Sequence, residues 1–258
     1  MLMVMDVGNT HIVLGLYQGA ELLHHWRIHT DRRATEDEYG MRLKSLFAHV
    51  GVDFHGIKGV AICSVVPPLT YVLKTLIHKY FHRAPLIVGP GVKTGLNIQY
   101  ETPREVGTDR IVNSVAAIER FGAPTIVVDF GTATTFCLID EKSRYIGGAI
   151  TPGIQVSTEA LYQHASQLTR VEIVRPDSVV GRNTVKAIQA GVYFGYVGAV
   201  DGIVSRMKGQ LTERPTVVAT GGLAELICED TKMIDEVAPF LTLEGLNLIY
   251  QRNSGSYS

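Results

Sequence analysis

The sequence predicts an α/β protein made of two related halves, each a mixed β-sheet flanked by helices. Met3–Thr10 reads M-V-M-D-V-G-N-T and Ile126–Thr134 reads I-V-V-D-F-G-T-A-T, so an apolar strand, an Asp and a nearby Gly recur. Strands alternate with helices along the rest of the chain, which is typical of a sheet covered by helices. A length of 258 residues suits two domains of about 125 residues. We place them at residues 1–122 and 123–258.

The first half is predicted to begin with three consecutive strands, at Leu2–Asp6, His11–Tyr17 and Glu21–Ile28. A helix follows at Thr35–Val50, where Thr35 and Glu38 form a capping box. The remaining elements of this half are a strand at Gly59–Val65, a helix at Thr70–Phe81, a strand at Pro85–Val88 and a helix from Pro103 to Phe121, with the proline in its first turn.

The second half repeats this plan. Its predicted elements are strands at Thr125–Asp129, Thr134–Ile139 and Tyr145–Thr151, a helix from Ile154, a long helix at Asn183–Leu211, and a strand within Val217–Ala224 that runs into a Gly pair. A Gly pair where a strand meets a helix admits a flat ring or a ribose against bare backbone, although a plain β–α connection has the same pattern.

Each repeated Asp-Gly turn joins two strands of a hairpin. Gly8 and Gly131 let the backbone approach a ligand because no Cβ stands in the way. Thr10, Thr132 and Thr134 add hydroxyl donors, so each turn can hold phosphate oxygens among free backbone N–H groups. One such turn alone is a common hairpin feature. Its occurrence at the start of both halves favours a binding function.

The carboxylates Asp6 and Asp129 would repel a phosphate group placed directly against them. A cation between carboxylate and phosphate removes this repulsion, and Mg²⁺ with retained waters is the natural choice. Two such hairpins facing each other would form a clamp for the phosphates of a nucleotide.

Composition excludes several other classes of protein. The net charge of −1 offers no basic surface for nucleic acid. We expect no membrane span, because no run of 18 apolar residues exists, and no signal peptide. Cys63, Cys137 and Cys228 lie inside apolar runs and are expected to be free thiols in a reducing compartment, the cytoplasm.

Four glycines lie on one face of the long helix 183–211. Gly191, Gly195, Gly198 and Gly202 follow one another at steps of 4, 3 and 4. Together they cost about 3–4 kcal/mol relative to alanine, which close approach of another backbone or a ligand would offset. Packing within the chain explains this face at least as well as a contact between subunits.

With these motifs, the chain resembles the superfamily of acetate and sugar kinases, heat-shock ATPases and actin. Within it, the sequence is similar to type III pantothenate kinases over almost its whole length. The matching segments are D-V-G-N-T at Asp6–Thr10, S-V-V-P at Ser64–Pro67, G-T-D-R at Gly107–Arg110, D-F-G-T-A-T-T at Asp129–Thr135, G-G-A-I-T-P-G at Gly147–Gly153 and T-G-G-L-A at Thr220–Ala224. The resemblance implies two ribonuclease-H-like (actin-like ATPase) domains, each with a mixed five-stranded sheet.

The resemblance also implies an activity and a set of site residues. The activity is ATP-dependent phosphorylation of pantothenate to 4'-phosphopantothenate, the first step of coenzyme A biosynthesis, by a homodimer. Asp109 is implied as the catalytic base and Asp129 as the ligand of a monovalent cation, K⁺ or NH₄⁺. The residues implied to bind ATP with Mg²⁺ are Asp6, Val7, Gly8, Asn9, Thr10, His11, Ile12, Val13 and Thr132. Those implied to bind pantothenate are Tyr100, Gly107, Thr108, Asp109, Arg110 and, across the dimer, Thr184.

Two other functions stay open at this stage. A different small-molecule kinase of the same superfamily is one, although sugar kinases are usually longer. A regulatory role is the other, but a regulator could lose Asp109 or an Asp-Gly turn, and all of these are present. From the residues alone, an acidic first-turn residue and a solvated arginine explain Asp109 and Arg110 better than a catalytic role does.

Overall fold

A computed structural model describes residues 1–165 and 168–254 of the chain. These residues form two compact units. The first contains Met1–Gly95, Thr102–Ala116 and the C-terminal helix, and the second contains Leu96–Glu101 and Ala117–Phe240.

The first unit is a five-stranded mixed sheet with helices. Its elements are β1 (Leu2–Val7), β2 (His11–Gln18), β3 (Glu21–His29), α1 (Glu36–His49), β4 (Gly59–Ser64), α2 (Pro67–Leu76) and β5 (Leu86–Ile87). The strand order is β3-β2-β1-β4-β5, in which β1 pairs antiparallel with β2 and parallel with β4. The ends of β1 and β4 therefore lie side by side, and Val7 pairs with Ser64.

Local sequence signals explain most helix ends in this unit. The capping box is confirmed, because the Glu38 N–H donates to Thr35 Oγ1 (3.4 Å) and the Thr35 N–H to Glu38 Oε2 (2.7 Å). Helix α2 begins at Pro67, three residues earlier than predicted, since proline needs no N–H partner in a first turn. The predicted helix from Pro103 is divided. Pro103–Glu105 is a 3₁₀ turn, and helix α3 (Thr108–Phe121) begins only after Gly107.

The sheet of the second unit has the strand order of the first sheet with one strand, β6 (Asn97–Ile98), added at its edge. The unit contains β6, β7 (Thr125–Phe130), β8 (Ala133–Ile139), β9 (Arg144–Pro152), α4 (Ile154–His164), α5 (Thr184–Lys208), β10 (Thr216–Gly221), α6 (Ala224–Cys228) and β11 (Glu236–Val237). The strand order is β11-β10-β7-β8-β9-β6. The expectation of five strands is therefore wrong for this unit, because the short strand β6 pairs in parallel with β9 at the edge.

The last helix, α7 (Leu241–Asn253), packs on the first sheet, against β1, β2 and β4. Leu243 is 1% exposed, and its Cδ1 lies 3.1 Å from where a Cβ on Gly15 of β2 would stand. The Asn247 amide donates to the Gly19 carbonyl (3.0 Å) after β2. The sequence repeat shows where each half starts but not which sheet receives its last helix, so a boundary at residue 122/123 separates α7 from the sheet that buries it.

Helix α5 has two opposite faces. Its buried face, which includes Tyr193, Val197, Val200 and Val204, lies in the core of the second unit. Contrary to the sequence-based expectation, α5 is long and apolar enough to cross a membrane by length and composition, with 33% of its most apolar window buried. One such helix is weak evidence for a membrane span, and the buried face of α5 packs in the core of the second unit, as a core helix does.

The β8–β9 turn is held by a buried carboxylate, Asp140. It accepts hydrogen bonds from the Lys142 N–H (3.1 Å), the Arg144 N–H (2.8 Å) and Arg144 Nε (2.7 Å). Burial alone would raise the pKa of Asp140, but the hydrogen bonds from Arg144 and Lys142 together hold it below its usual value.

We expect Asp140→Asn to lower the free energy of unfolding by about 1–3 kcal/mol at pH 7, because a buried charged partner of Arg144 is lost. A carboxyl whose pKa is depressed on folding stabilises above its unfolded pKa, near 3.9, and this contribution disappears as pH falls through the folded value. The difference between variant and wild type should therefore shrink below about pH 4 in thermal melts. Asp177→Asn, at an exposed position, is the control. A difference that is constant with pH would contradict this role.

Candidate functional site

The turn between β1 and β2 contains the first predicted phosphate-binding segment. The Gly8 N–H donates to the His11 carbonyl (3.0 Å) and closes the turn. Val7 and Ile12 have fully buried side chains, so only their main chain can serve a ligand. The exposed side chains are those of Asn9 and His11. Burial, Arg27 and His29 lower the pKa of His11, which favours its neutral form.

The segment that follows β3 contacts three successive residues of this turn. Thr30 Oγ1 donates to the Gly8 carbonyl (2.7 Å), and the Thr30 N–H donates to the Thr10 carbonyl (3.0 Å). Arg32 Nη2 donates to Asn9 Oδ1 (2.7 Å). Sequence reasoning missed this contact. The signal was available, because three consecutive antiparallel strands return the end of β3 to the edge where β1 ends.

The start of α3 is fastened to the same edge of the first sheet. Thr108 Oγ1 donates to the Ser64 carbonyl (3.3 Å) at the end of β4. Ser64 Oγ in turn accepts from the Val66 N–H (3.2 Å) and from Thr70 Oγ1 (2.8 Å). The S-V-V-P and G-T-D-R motifs, far apart in sequence, are thereby joined in space.

Asp109 is half-buried in the first turn of α3. Its Oδ1 accepts the Arg110 N–H (2.9 Å), which fixes the orientation of the carboxylate. A Cβ at residue 107 would lie 2.5 Å from this oxygen, so only glycine leaves Asp109 in place. Arg110 is 6% exposed. It is therefore a buried arginine and not the solvated one that the residues alone allowed.

The second unit forms a comparable turn between β7 and β8. The Gly131 N–H donates to the Ala133 carbonyl (3.2 Å), and the Gly153 N–H donates to the Thr132 carbonyl (3.0 Å). Gly221, at the end of β10, has φ +92°, and a Cβ there would lie 2.7 Å from Asp129 Oδ1. The T-G-G segment thus makes room for the Asp129 carboxylate. A plain β–α connection would not need this space, so that interpretation does not explain the segment.

The two remaining site residues lie elsewhere in the second unit. The Tyr100 ring packs on Tyr145, with centroids 6.3 Å apart, and beside Gly147. Thr184 is exposed at the start of α5, directly after Asn183, whose side chain accepts the Lys186 N–H (2.9 Å) and caps the helix.

Within residues 1–165 and 168–254, no group of three or more His, Cys, Asp or Glu side chains could hold a metal ion. Each of the two turns contributes one carboxylate, Asp6 or Asp129. Such oxygen ligands suit hard cations, which would complete their coordination with phosphate and water. The residues present fit this kind of metal site.

Solved structures share this fold at low sequence identity. A protein of Campylobacter jejuni assigned to the Baf family of transcriptional activators is 17% identical with a TM-score of 0.61, covering 98% of this chain and 99% of that one. The activator of 2-hydroxyisocaproyl-CoA dehydratase from Clostridium difficile, solved with bound ADPNP, is 10% identical with a TM-score of 0.56, covering 99% and 96%. Two sheets that share one strand order, each with an Asp-Gly turn, define an actin-like ATPase fold.

The type III pantothenate kinase family model matches residues 2–206. Type III pantothenate kinases of Geobacillus kaustophilus and Geobacillus thermodenitrificans are 59% and 60% identical to this chain over 254 residues, covering 98% of the chain and 98% of each relative. The chain belongs to the type III pantothenate kinase family. It is accordingly a kinase that uses ATP and a divalent metal to phosphorylate an alcohol.

Proposed function

We propose that the protein transfers the γ-phosphoryl group of ATP to the primary hydroxyl of pantothenate, giving 4'-phosphopantothenate for coenzyme A biosynthesis. The observation that carries this proposal is the position of Asp109. The Thr108–Ser64 contact ties its helix to the sheet edge where the β1–β2 phosphate turn also lies. A base and a phosphate-binding turn in one compact unit are what phosphoryl transfer to an alcohol requires.

We assign ATP binding to the segment Asp6–Val13 and to Thr132. The backbone N–H groups near Gly8 and the side chains of Asn9 and Thr10 are the donors for phosphate oxygens. Thr132 has a hydroxyl for the same purpose, and its carbonyl accepts the Gly153 N–H (3.0 Å). Divalent metal bound to the phosphates would neutralise part of their charge.

We assign pantothenate binding to Tyr100, Gly107–Arg110 and Thr184. The carboxylate of Asp109 receives the proton of the substrate hydroxyl as the oxygen attacks phosphorus. The Arg110 guanidinium suits the carboxylate end of pantothenate, because bidentate pairing with carboxylates is its strongest interaction. Gly107 supports Asp109 by leaving room for its oxygen.

The activity should be tested by measuring ADP release with and without pantothenate, with the phosphorylated product identified by mass spectrometry. Hexoses and acetate as acceptors test the alternative of another superfamily kinase. Pantothenate-dependent release with no release on the other acceptors is expected. A protein that releases ADP equally with and without pantothenate would overturn the proposal.

The three free cysteines described, Cys63, Cys137 and Cys228, suit a cytoplasmic enzyme.

We further assign Asp129 as the ligand of a monovalent cation, K⁺ or NH₄⁺. Its Oδ1 lies beside Gly221, where the absent Cβ leaves space next to the carboxylate, and a large monovalent cation tolerates irregular sets of oxygen ligands. Activity should rise several-fold when Na⁺ is replaced by K⁺ or NH₄⁺ at equal ionic strength, which removes screening as a cause. Asp129→Ala should flatten this response as well as lower the rate. Equal rates in Na⁺ and K⁺ with saturating Mg²⁺ would contradict the assignment.

We also propose that the enzyme is a homodimer formed through the glycine face of α5. A Cβ on Gly191, Gly195 or Gly198 would meet no atom within 4 Å in the described chain, so packing within the chain does not account for these glycines. Thr184 lies seven residues before Gly191, on the same face of the helix. The exposed residues Val179, Val180 and Val185 add apolar surface near this end of α5.

A further inference from the structure

The two phosphate turns of this chain lack positive charge. Asp6–Val13 and Asp129–Thr135 contain no Lys and no Arg, and each contains one Asp. Burial, Arg27 and His29 lower the pKa of the single histidine, His11, which favours its uncharged form. ATP carries several negative charges, and phosphoryl transfer needs groups that neutralise them beside the metal ion. A cationic side chain from another segment would supply this charge.

Arg32 donates a side-chain hydrogen bond to the β1–β2 turn, and Arg27 of β3 lies near enough to lower the pKa of His11 in the same turn. Arg32 Nη2 lies 2.7 Å from Asn9 Oδ1. The neighbouring Thr30, 5% exposed, holds Gly8 and Thr10, so Arg32 is anchored on both sides of Asn9. Arg42 is instead directed to Asp31 (3.7 Å). The position of Arg32 is thus specific to the turn.

The segment that carries Arg32 is fixed to the core of the first unit. Tyr39, 1% exposed, accepts the Asp31 N–H at its hydroxyl (2.9 Å) and donates to the Asp31 carbonyl (3.0 Å). Asp31 Oδ1 accepts the Arg33 N–H (3.0 Å). A backbone segment held in this way lowers the cost of placing the exposed Arg32 side chain when ligand binds.

The hydrogen bond between Arg32 and Asn9 leaves both side chains with donors that suit phosphate oxygens. A guanidinium has five N–H donors and no acceptor, so it holds the amide of Asn9 by its oxygen. The Asn9 NH₂ group then remains as a donor, and the other guanidinium N–H groups remain beside it. Charged donors in this fork geometry match phosphate oxygens.

We propose that Arg32 is a phosphate-binding residue of the nucleotide site, which contacts the phosphates of ATP and orients the amide of Asn9 towards them. This inference rests on the proposed kinase function. Arg32 supplies a positive charge that the residues of the Asp-Gly turns lack.

Equilibrium binding of ATP, ADP and AMP to Arg32→Gln and Arg32→Lys, measured by calorimetry, tests the proposal beside steady-state kinetics. Arg32→Gln should weaken ATP and ADP binding roughly 10- to 100-fold, the range of a charged hydrogen bond, and leave AMP within about twofold. The KM for ATP should rise while the KM for pantothenate stays unchanged. Arg32→Lys should restore part of the affinity. Arg33→Gln removes an equal charge one residue away, at an exposed side chain, and should bind ATP as the wild type does.

Three results would overturn the proposal: ATP affinity of Arg32→Gln within twofold of wild type, an equal loss for AMP and ATP, or an equal loss in Arg33→Gln. An equal loss of affinity for AMP would show that Arg32 only stabilises the conformation of the turn. Absence of pantothenate phosphorylation by the wild type would overturn the kinase function instead, and ATP binding would still decide the role of Arg32.

Discussion

Asp109→Asn is expected to lower the rate of phosphoryl transfer by about 10²–10⁴-fold, because the substrate hydroxyl loses its proton acceptor. The change is nearly isosteric, and the asparagine oxygen can still accept the Arg110 N–H that Asp109 accepts at 2.9 Å. The fold and the affinity for ATP should therefore be retained. Single-turnover kinetics and calorimetry with ATP separate these effects.

The structure supplies a second variant for the same role. In Gly107→Ala the new Cβ would lie 2.5 Å from Asp109 Oδ1, so the carboxylate must move although its chemistry is unchanged. We expect turnover to fall in this variant too. Glu105→Gln removes an exposed carboxylate from the preceding 3₁₀ turn and should leave the rate unchanged. A rate for Asp109→Asn within tenfold of wild type would remove Asp109 from the base role.

Most strands and helices could be predicted because their signals are local. The two Asp-Gly hairpins, the capping box at Thr35 and the apolar strands each need only a few neighbouring residues. The start of α3 was misplaced because Pro103 satisfies the same local rule in a 3₁₀ turn as in an α-helix. Which sheet receives α7 depends on long-range packing of Leu243 and Leu246, and no local pattern encodes that choice.

The difference between local signals and long-range packing also applies to the candidate site. The turn residues could be identified from the repeat, because an Asp and a Gly at fixed spacing recur in both halves. The role of Gly107 could not be derived from spacing, since it depends on the distance between a missing Cβ and Asp109 Oδ1. The Arg32–Asn9 contact joins residues 23 apart and becomes visible only when the strand order brings β3 back to the turn.

The glycine face of α5 leads to the second large effect. Gly198→Leu is expected to convert the dimer into monomers and to lower activity strongly at low protein concentration, because Thr184 of one subunit would no longer reach the site of the other. The buried face of the helix, with Tyr193, Val197 and Val200, points away from the substitution. The monomer should therefore remain folded. Sedimentation at assay concentrations should show about twice 28.2 kDa for the wild type and 28.2 kDa for the variant.

The smaller substitution Gly198→Ala distinguishes an interface from an exposed helix surface, because it should stabilise an exposed helix but weaken a close-packed dimer. In an exposed helix, Gly198→Ala should raise the free energy of unfolding by up to about 1 kcal/mol, because alanine is the better helix former. At an interface where two backbones approach closely, the added methyl should instead weaken the dimer. Ser45→Leu, a small-to-large change on the exposed face of α1, is the control for added apolar surface and should leave assembly unchanged. A wild-type monomer with full activity would exclude a substrate site completed by Thr184 of a second subunit.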